Sequence, residues 1–561
     1  MITTMKARGI KFILMLAAVA FVAVYSYISW AAPLRFNSPD ENANYYFIGN
    51  FVETGWLYAF EPLNLVTPGL IHPRSISVVD DFLVPGGFIG LPVFYGAAAK
   101  VLGLGATPFL TAILAVAAAL AFASVTGKYF GRRVGYLAGW LLLINPVWWY
   151  EASRPFMPNT LFAALTIISA WFMLVAPLAA MRGGRPRRRW DVFWLADGAV
   201  AGAIFGLALA VRLSEVYWLA LAAAALIAMS LKKVPWMRLA LSVFFAAAVL
   251  LPFLGLNRTL YGSWIGTGYG PGLGGVPVEE LPAGYGARLL GGLQPYLFPL
   301  GFAPQTAFQN FWTYGVKFFW WWSVLVAAAL IAAAVVLWRR RRQRRPVGAQ
   351  YKAFALAAAL AALWLILFYG SWPVRDNPDP RAVTIGTSYF RYWLPVFVLS
   401  VVPVAWALQA ATASLSGWRR PAALIMLLAA LTAVSGYAVF TSRDEGLLAV
   451  RANLIRYDQD VKQVLAATEP ESLIIVDRAD KLLFPDRRVI YPLRSDATYA
   501  ALPKLRGRAY LYYYGITLPE ADLEYLRSDK LPPLGLTIEP VLTTRDESLY
   551  RLRPLSAPSR P

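Results

Sequence analysis

Hydrophobic residues collect along this chain in a series of long runs separated by shorter polar stretches. Most runs approach the roughly 20 apolar residues that a helix needs to cross a bilayer. They lie near residues 10–31, 84–103, 105–127, 134–150, 157–180, 193–211, 214–231, 236–256, 316–338, 352–370, 389–413 and 421–441. The pattern predicts a polytopic α-helical membrane protein.

Positively charged residues cluster between these runs, and two runs separate each cluster from the next. The clusters are Lys128/Arg132/Arg133, the Arg182–Arg189 run, Lys232/Lys233/Arg238, the Arg339–Arg345 run and Arg419/Arg420. All of them therefore lie on one side of the membrane. The positive-inside rule makes that side cytoplasmic.

The run 84–103 is the one that we do not expect to cross. It is interrupted by prolines and glycines, and its crossing would place every basic cluster outside. We expect it to lie in the interface or re-enter, as part of a first outer loop at 32–104. This leaves about 11 spans in the inner membrane, with the N-terminus inside and the C-terminus outside. The alternative is that a weaker run elsewhere fails to cross.

Residues 442–561 differ in character from the rest, because they are charged and carry short β-type runs. These runs lie at 472–477, 488–492, 510–515 and 549–552, and a helix is expected near 446–467. We predict a membrane domain at 1–441, followed by a small extracytoplasmic α/β domain at 442–561, the tail domain. The outer loops 32–104 and 257–315 are long, which is typical of functional loops.

The composition narrows the possible chemistry. Of the 561 residues 58% are hydrophobic and 15% charged, whereas soluble proteins carry roughly 25% charge. The net charge of +21 is explained by the cytoplasmic clusters, so we expect no nucleic-acid partner. The chain has no cysteine and a single histidine, His72, which excludes thiolate chemistry and multi-histidine metal sites. Acid–base chemistry must fall mainly to Asp, Glu, Lys or Tyr.

The acidic pair Asp40-Glu41 is the strongest catalytic candidate. The segment Ser38–Glu41 has the pattern of a helix N-terminus, with proline and two acids in the first turn. Further along this helix, Tyr45, Phe47, Ile48 and Phe51 are expected to form an apolar face on the membrane. The pair could merely cap that helix. However, it directly follows the first span, where a carboxylate is costly unless it is paired or used.

Two arginines of the outer face are candidate phosphate ligands. Arg154 lies among aromatic residues and can bind phosphate bidentately; the alternative is a snorkelling arginine in an aromatic belt. Arg391 begins the span 389–413, where it could hold an anionic head group or neutralise Asp376 or Asp379.

Other charged outer residues have local explanations. Arg212 and Glu215 are three apart and are expected to pair. His72 could contact a substrate, although a lone histidine in a loop is usually solvated. The second acidic pair, Asp80-Asp81, could serve a cation or an acceptor.

These short motifs, in this order, resemble the GT-C glycosyltransferases that use lipid-phosphate sugars, such as aminoarabinose transferases and protein O-mannosyltransferases. The resemblance covers the layout of about residues 1–415. Its motifs are Pro-Asp-Glu at 39–41, Gly131-Arg132-Arg133, Arg154–Pro158 after an Asn-Pro, and Arg391–Pro395.

The resemblance implies that the chain moves a sugar from a polyprenyl phosphate to an acceptor hydroxyl on the outer face. Asp40 would be the general base and Glu41 a second acidic group. Arg154 and Arg391 would bind the donor phosphate. Possible substrate-binding residues are His72, Arg74, Tyr45 and Tyr389. The acceptor would be a lipid, a glycan or a protein.

Two departures from the family's pattern affect these expectations. Many relatives have a Lys-Pro-Pro-like stretch in the first loop, where this chain has Ile71–Arg74. Either His72 or Arg74 would take over its role, or this chain would handle the donor differently. After Met-Pro, relatives often have an acid, whereas this chain has Asn159. We therefore predict no required cofactor, and a divalent metal is possible but not predicted.

Two other functions are compatible with a polytopic chain. A transporter or lipid flippase would place charges in mid-span and often show inverted repeats, whereas here the polar residues gather at one face. An O-antigen-polymerase-like enzyme would use its large outer loop rather than Asp40.

Overall fold

The computed structural model describes residues 15–30, 35–181, 192–229, 234–269, 297–374, 376, 379, 382–545 and 547–555. Among these residues, eight helices are long and apolar enough to cross a membrane. They are Leu104–Phe130, Pro158–Val175, Val192–Val211, Trp236–Tyr261, Trp320–Arg342, Ala349–Gly370, Leu394–Ala411 and Arg419–Thr441. The chain is a polytopic helical membrane protein, as its hydrophobic pattern predicts.

The remaining predicted spans are shorter in the described part of the chain. Met15–Tyr25 and Leu213–Ala228 are apolar helices of only 10–17 residues. Residues 10–14 and 31 of the first run lie outside the described residues. The run 134–150 is divided into Arg132–Leu143 and Pro146–Ala152, because proline limits the conformation of the residue before it. The topology of about 11 spans stays a prediction.

The run 84–103 forms a helix at Gly90–Leu102, which has 13 residues. At about 1.5 Å per residue this helix is shorter than the hydrocarbon core of a bilayer. Other short helices are Pro177–Met181, Pro304–Asn310 and Ser388–Tyr392, and a π-helix spans Phe311–Phe318.

The first outer loop begins with a helix at Pro39–Thr54, the loop helix, and continues into a small antiparallel sheet. The sheet has the order β1-β3-β2, with β1 at Ala59–Phe60, β2 at Ile76–Val79 and β3 at Phe82–Pro85. Asp80 and Asp81 form the turn between β2 and β3, with φ of 47° and 67°. Asp is among the residues that tolerate this left-handed conformation. The second acidic pair is therefore a hairpin turn.

The apolar face of the loop helix is buried in protein, so the prediction that it lies on the membrane is wrong at its centre. Phe47 and Ile48 are both 0% exposed. Phe47 belongs to an apolar cluster with Leu83 of the hairpin and Leu260 of a membrane helix. The hairpin, which the sequence pattern did not reveal, covers the helix and replaces lipid there.

The tail contains the predicted helix, at Leu447–Ala466, and a five-stranded mixed sheet of order β5-β4-β6-β8-β7. The strands are β4 Leu473–Val476, β5 Arg488–Ile490, β6 Leu511–Ile516, β7 Leu536–Thr543 and β8 Glu547–Pro554. Short helices lie at Asp480–Leu483, Asp496–Leu505 and Glu520–Tyr525. The predicted β-type runs are confirmed, whereas β7 was missed. The domain boundary at 441/442 stays a prediction.

The tail domain packs on the first outer loop. Leu63 and Ile71 of the loop belong to the same buried cluster as the tail strands. Glu61 also pairs with Arg488 at 3.1 Å. The first outer loop and the tail domain therefore lie on the same side of the membrane helices.

Phe47→Ala tests the burial of the loop helix. We expect it to lower the free energy of unfolding by about 3–5 kcal/mol, because it leaves a cavity in a closed cluster. Thermal unfolding in detergent measures the effect, with Trp56→Ala, at an exposed side chain of the same loop, as control. Similar small effects of both substitutions would contradict the burial.

Candidate active site

The acidic pair is held rigidly at the start of the loop helix. Ser38 is the N-cap: its hydroxyl accepts from the Asp40 backbone N–H at 3.2 Å. Its own backbone N–H donates to Glu41 Oε2 at 3.0 Å, which completes a capping box. Such a box satisfies two otherwise unpaired backbone donors. Asn42 adds a bond from its side-chain amide to the Phe36 carbonyl at 2.7 Å.

The side chain of Glu41 caps the loop helix, whereas the side chain of Asp40 does not. Asp40 Oδ1 accepts from the Ser75 hydroxyl at 2.6 Å, and Oδ2 accepts from Arg391 Nη1 at 2.7 Å. Burial alone would raise the pKa of Asp40, but Arg391 and Ser75 outweigh it and the pKa lies below its usual value. The carboxylate is therefore ionised at neutral pH.

Glu41 pairs with the other candidate arginine. Its Oε2 lies 3.3 Å from Arg154 Nη2, and both side chains are buried. The Nε atoms of Arg154 and Arg391 are also buried. Within the described part of the chain, neither of these two N–H groups has a hydrogen-bond acceptor. Two guanidinium groups with spare N–H donors thus flank the acidic pair. This arrangement suits an anionic oxygen.

Glu151 is a buried acid of this site to which the sequence analysis assigned no role. It is 0% exposed, and neither carboxyl oxygen has a hydrogen-bond partner among the described residues. Burial raises the pKa of Glu151 to about 7, against the opposing effect of Arg154 and Arg391. The sequence feature that could have identified Glu151 is its position three residues before Arg154, in the same outer turn.

Arg212 and Glu215 form the predicted pair, at 2.9 Å between Nε and Oε1, and belong to a larger buried network. Arg212 also donates to the Tyr369 hydroxyl at 2.9 Å and to Asn159 Oδ1 at 3.2 Å. Tyr369 stacks on Tyr392 at 4.4 Å between ring centroids. The network therefore supports the helix that carries Arg391.

Arg74 and His72, the candidate residues of the stretch 71–74, contact groups other than the acidic pair. Arg74 binds the buried Asp480 of the tail, with 2.6 Å from Nη2 to Oδ1. His72 Nδ1 makes a local contact of 2.9 Å with the Pro73 carbonyl. The residue that reaches the acidic pair is the next one, Ser75, which sequence reasoning missed because serines are frequent in loops.

Tyr45 packs on other aromatic rings, whereas Tyr389 combines a stacked ring with a hydrogen-bonded hydroxyl. The Tyr45 ring lies against Phe156 at 5.4 Å between centroids. The Tyr389 hydroxyl donates to the Trp372 carbonyl at 2.6 Å, and its ring stacks on Trp393. Their roles in substrate binding stay predictions.

The side-chain oxygens that could bind a metal ion at this site already have other partners. Ser75 and Arg391 engage one oxygen of Asp40 each, and Glu41 is paired with Arg154. The side-chain oxygen of Asn159 accepts from Arg212. Among the described residues no group of three His, Cys, Asp or Glu could hold an ion. The lack of a required metal stays a prediction.

No family model and no curated protein matches this chain. Among solved structures it is similar to ArnT from Cupriavidus metallidurans bound to undecaprenyl phosphate, with a TM-score of 0.53 and 14% identity. The match covers 96% of this chain and 97% of that one. The chain therefore has the same fold as ArnT.

A second structure of this fold is the archaeal oligosaccharyltransferase AglB from Archaeoglobus fulgidus, in complex with an inhibitory peptide and a dolichol-phosphate. It matches with a TM-score of 0.53 and 13% identity, over 89% of this chain and 69% of AglB. At such low identity the similarity concerns the fold, and the chemistry depends on the residues described above.

The raised pKa of Glu151 makes stability depend on pH. A carboxyl that binds its proton more tightly when folded favours the folded state at low pH, and this contribution is lost as the pH rises from about 4.5 to about 7. We expect Glu151→Gln to remove the dependence and to stabilise the protein above pH 7 by on the order of 1–3 kcal/mol.

Thermal unfolding in detergent at pH 5 and pH 8 measures this effect. Glu53→Gln, at an exposed position of the loop helix, is the control and should follow the wild type. Parallel pH profiles of wild type and Glu151→Gln would refute the assignment.

Proposed function

We propose that this chain is a glycosyltransferase of the inner membrane. It moves a sugar from a polyprenyl-phosphate donor to an acceptor hydroxyl on the outer face, where the first outer loop and the tail domain lie. Asp40 is its general base. The acceptor is a hydroxyl of a lipid, a glycan or a protein.

The observation that carries the proposal is an ionised carboxylate between two arginines, each of which has a buried Nε–H without an acceptor in the described chain. It occurs on a fold whose solved examples include ArnT bound to undecaprenyl phosphate and AglB with a dolichol-phosphate. Arg154 Nε and Arg391 Nε are buried without an acceptor in the described chain. A buried donor without a partner is unfavourable, and a phosphate oxygen would satisfy it.

The reaction is a single displacement at the anomeric carbon. The acceptor oxygen forms a bond to this carbon while the bond between the carbon and the donor phosphate oxygen breaks. The electron pair of the broken bond leaves with the polyprenyl phosphate. Asp40 takes the acceptor proton. A phosphate is already a good leaving group, so one carboxylate base suffices. Arg154 and Arg391 stabilise the charge on the departing oxygen, and the configuration of the sugar is inverted.

The bond between Arg391 and Asp40 links donor binding to the strength of the base. In the structure Arg391 lowers the pKa of Asp40, which makes the carboxylate a weak base. A donor phosphate beside Arg391 neutralises part of the guanidinium charge and raises the pKa again. Asp40 therefore becomes a better base when the donor is present.

Glu41 acts as a positioning group in this scheme. Its Oε2 closes the capping box and holds Arg154, so it sets the direction of both the loop helix and one phosphate ligand. The acceptor proton goes to Asp40 and not to Glu41.

Asp40→Asn tests the base. In cells from which the gene is deleted, the envelope glycan that disappears identifies the product, and complementation with variants measures their activity. We expect Asp40→Asn to lower transfer by about 10²–10⁴-fold, because the amide cannot accept the proton. Asp80→Asn, in the exposed hairpin turn of the same loop, should restore the glycan fully.

Full activity of Asp40→Asn would rule out this base. A lipid transporter would show another pattern: labelled donor lipid would cross proteoliposome membranes, and sugar transfer by the purified protein would be absent.

Arg154→Lys and Arg391→Lys test the phosphate ligands. Each retains a positive charge but loses the planar fork. We expect each to weaken binding of undecaprenyl phosphate to the protein in nanodiscs by about 10- to 100-fold. Arg258→Lys, at an exposed arginine beside Trp264, is the matched control. Unchanged affinity in both site variants would place the phosphate elsewhere.

A further inference from the structure

The helix Asp480–Leu483 of the tail domain lies directly against the loop that carries the acidic pair. Asp480 is 0% exposed. Its carboxylate accepts from the Arg74 backbone N–H at 2.7 Å and from Arg74 Nε at 3.1 Å. Arg74 Nη2 donates to the same carboxylate at 2.6 Å. One buried acid thus fixes both the main chain and the side chain of Arg74.

The next residue, Ser75, provides the hydroxyl that binds Asp40. Ser75 has φ of 64°, a left-handed conformation that residues other than glycine adopt rarely. It therefore needs support from its neighbours. Asp480 supplies that support on one side through Arg74, and Gly86 donates to the Ser75 carbonyl at 2.9 Å on the other.

Gly86 shows how closely this segment is packed. A Cβ added at Gly86 would lie 2.4 Å from the Ser75 carbonyl carbon and oxygen. No larger residue fits there without displacing the Ser75 backbone. The Ser75 hydroxyl is thus aimed at Asp40 by backbone contacts on both sides.

The same tail segment also contacts the loop helix. Lys481 donates to the Asn37 carbonyl, directly before the N-cap. Phe484 packs edge to face on Tyr46, with 4.7 Å between centroids. Burial lowers the pKa of Lys481 to about 8, as expected for an ammonium group enclosed in this interface. The contact is therefore continuous from the Arg74–Ser75 segment to the N-terminus of the loop helix.

We propose that the tail domain completes the active site, with Asp480 as a positioning residue that acts on Asp40 through Arg74 and Ser75. This inference rests on the proposed function. It gives the tail domain a role in the chemistry itself, because the hydrogen bond from Ser75 fixes the orientation of the base. Removal of Asp480 releases Arg74, and Ser75 then turns away from Asp40.

The test compares Asp480→Asn, Arg74→Lys and Ser75→Ala in nanodiscs. The donor is the lipid extract of the deletion strain, in which unused sugar lipid accumulates, and the acceptor is the envelope fraction of the same cells. We expect each variant to lower kcat by about 10- to 100-fold, with little change in KM for the donor lipid. The acidic limb of the pH profile of kcat should move to higher pH, because Asp40 loses the hydrogen bond from Ser75 that lowers its pKa.

Two comparisons separate positioning from simple stability. Asp486→Asn is the matched control: Asp486 pairs with Arg35 at 2.8 Å across the same interface and is 45% exposed, but does not bind the Arg74–Ser75 segment. It should keep the wild-type kcat and pH profile. The double variant Asp480→Asn with Ser75→Ala should be no worse than Ser75→Ala, because both changes act on one path.

Additive effects of the two substitutions, or an unmoved acidic limb with only a lower unfolding temperature, would overturn the positioning role. Asp40→Asn is assayed in parallel. An inactive Asp40→Asn with a fully active Asp480→Asn refutes only the role of the tail domain, whereas a fully active Asp40→Asn refutes the proposed base.

Discussion

The ion pair between Asp40 and Arg391 is the interaction on which the rest of this site depends. It joins residues 351 positions apart, from the first outer loop and from the short helix Ser388–Tyr392 that directly precedes a membrane helix. A carboxylate at the edge of the hydrocarbon is costly unless it is paired, and loss of either partner leaves a charge uncompensated. The loop helix must therefore dock on the membrane helices in one orientation, which is the orientation that presents Asp40.

Charge balance around this pair is close. Asp40 and Glu41 are matched by Arg391 and Arg154, which leaves Glu151 as the additional acid. With a pKa raised to about 7 by burial, Glu151 is partly protonated at neutral pH. A fully ionised Glu151 would make this group of five side chains negative. The neutral form leaves the charges of the other four balanced.

The sequence predicted the coarse architecture well, because long apolar runs and positive clusters report directly on the membrane. The start of the loop helix was also predictable, since Ser38-Pro39 followed by two acids is a local signal. The burial of Phe47 was not, because it depends on a hairpin whose turn, Asp80-Asp81, lacks the usual glycine. Local patterns cannot show which surface covers a helix.

The sequence singled out Asp40, Glu41, Arg154 and Arg391, which the structure brings together, but it did not single out Glu151. Arg154 was a candidate because it lies among aromatic residues, and Arg391 because it stands at the start of a predicted span. Ser75 and Asp480 carry no such signal: a loop serine and an acid in a polar domain are common. Their roles follow only from contacts between distant parts of the chain.

One of those contacts has a consequence for biosynthesis. Arg74 and Asp480 are 406 positions apart, so at roughly 5–20 residues per second the loop waits tens of seconds for its partner during translation. Throughout that time Arg74 has no carboxylate from the tail to bind. A nascent chain that ends before residue 480 therefore leaves Arg74 without this partner, and the contact forms only after the tail has been translated.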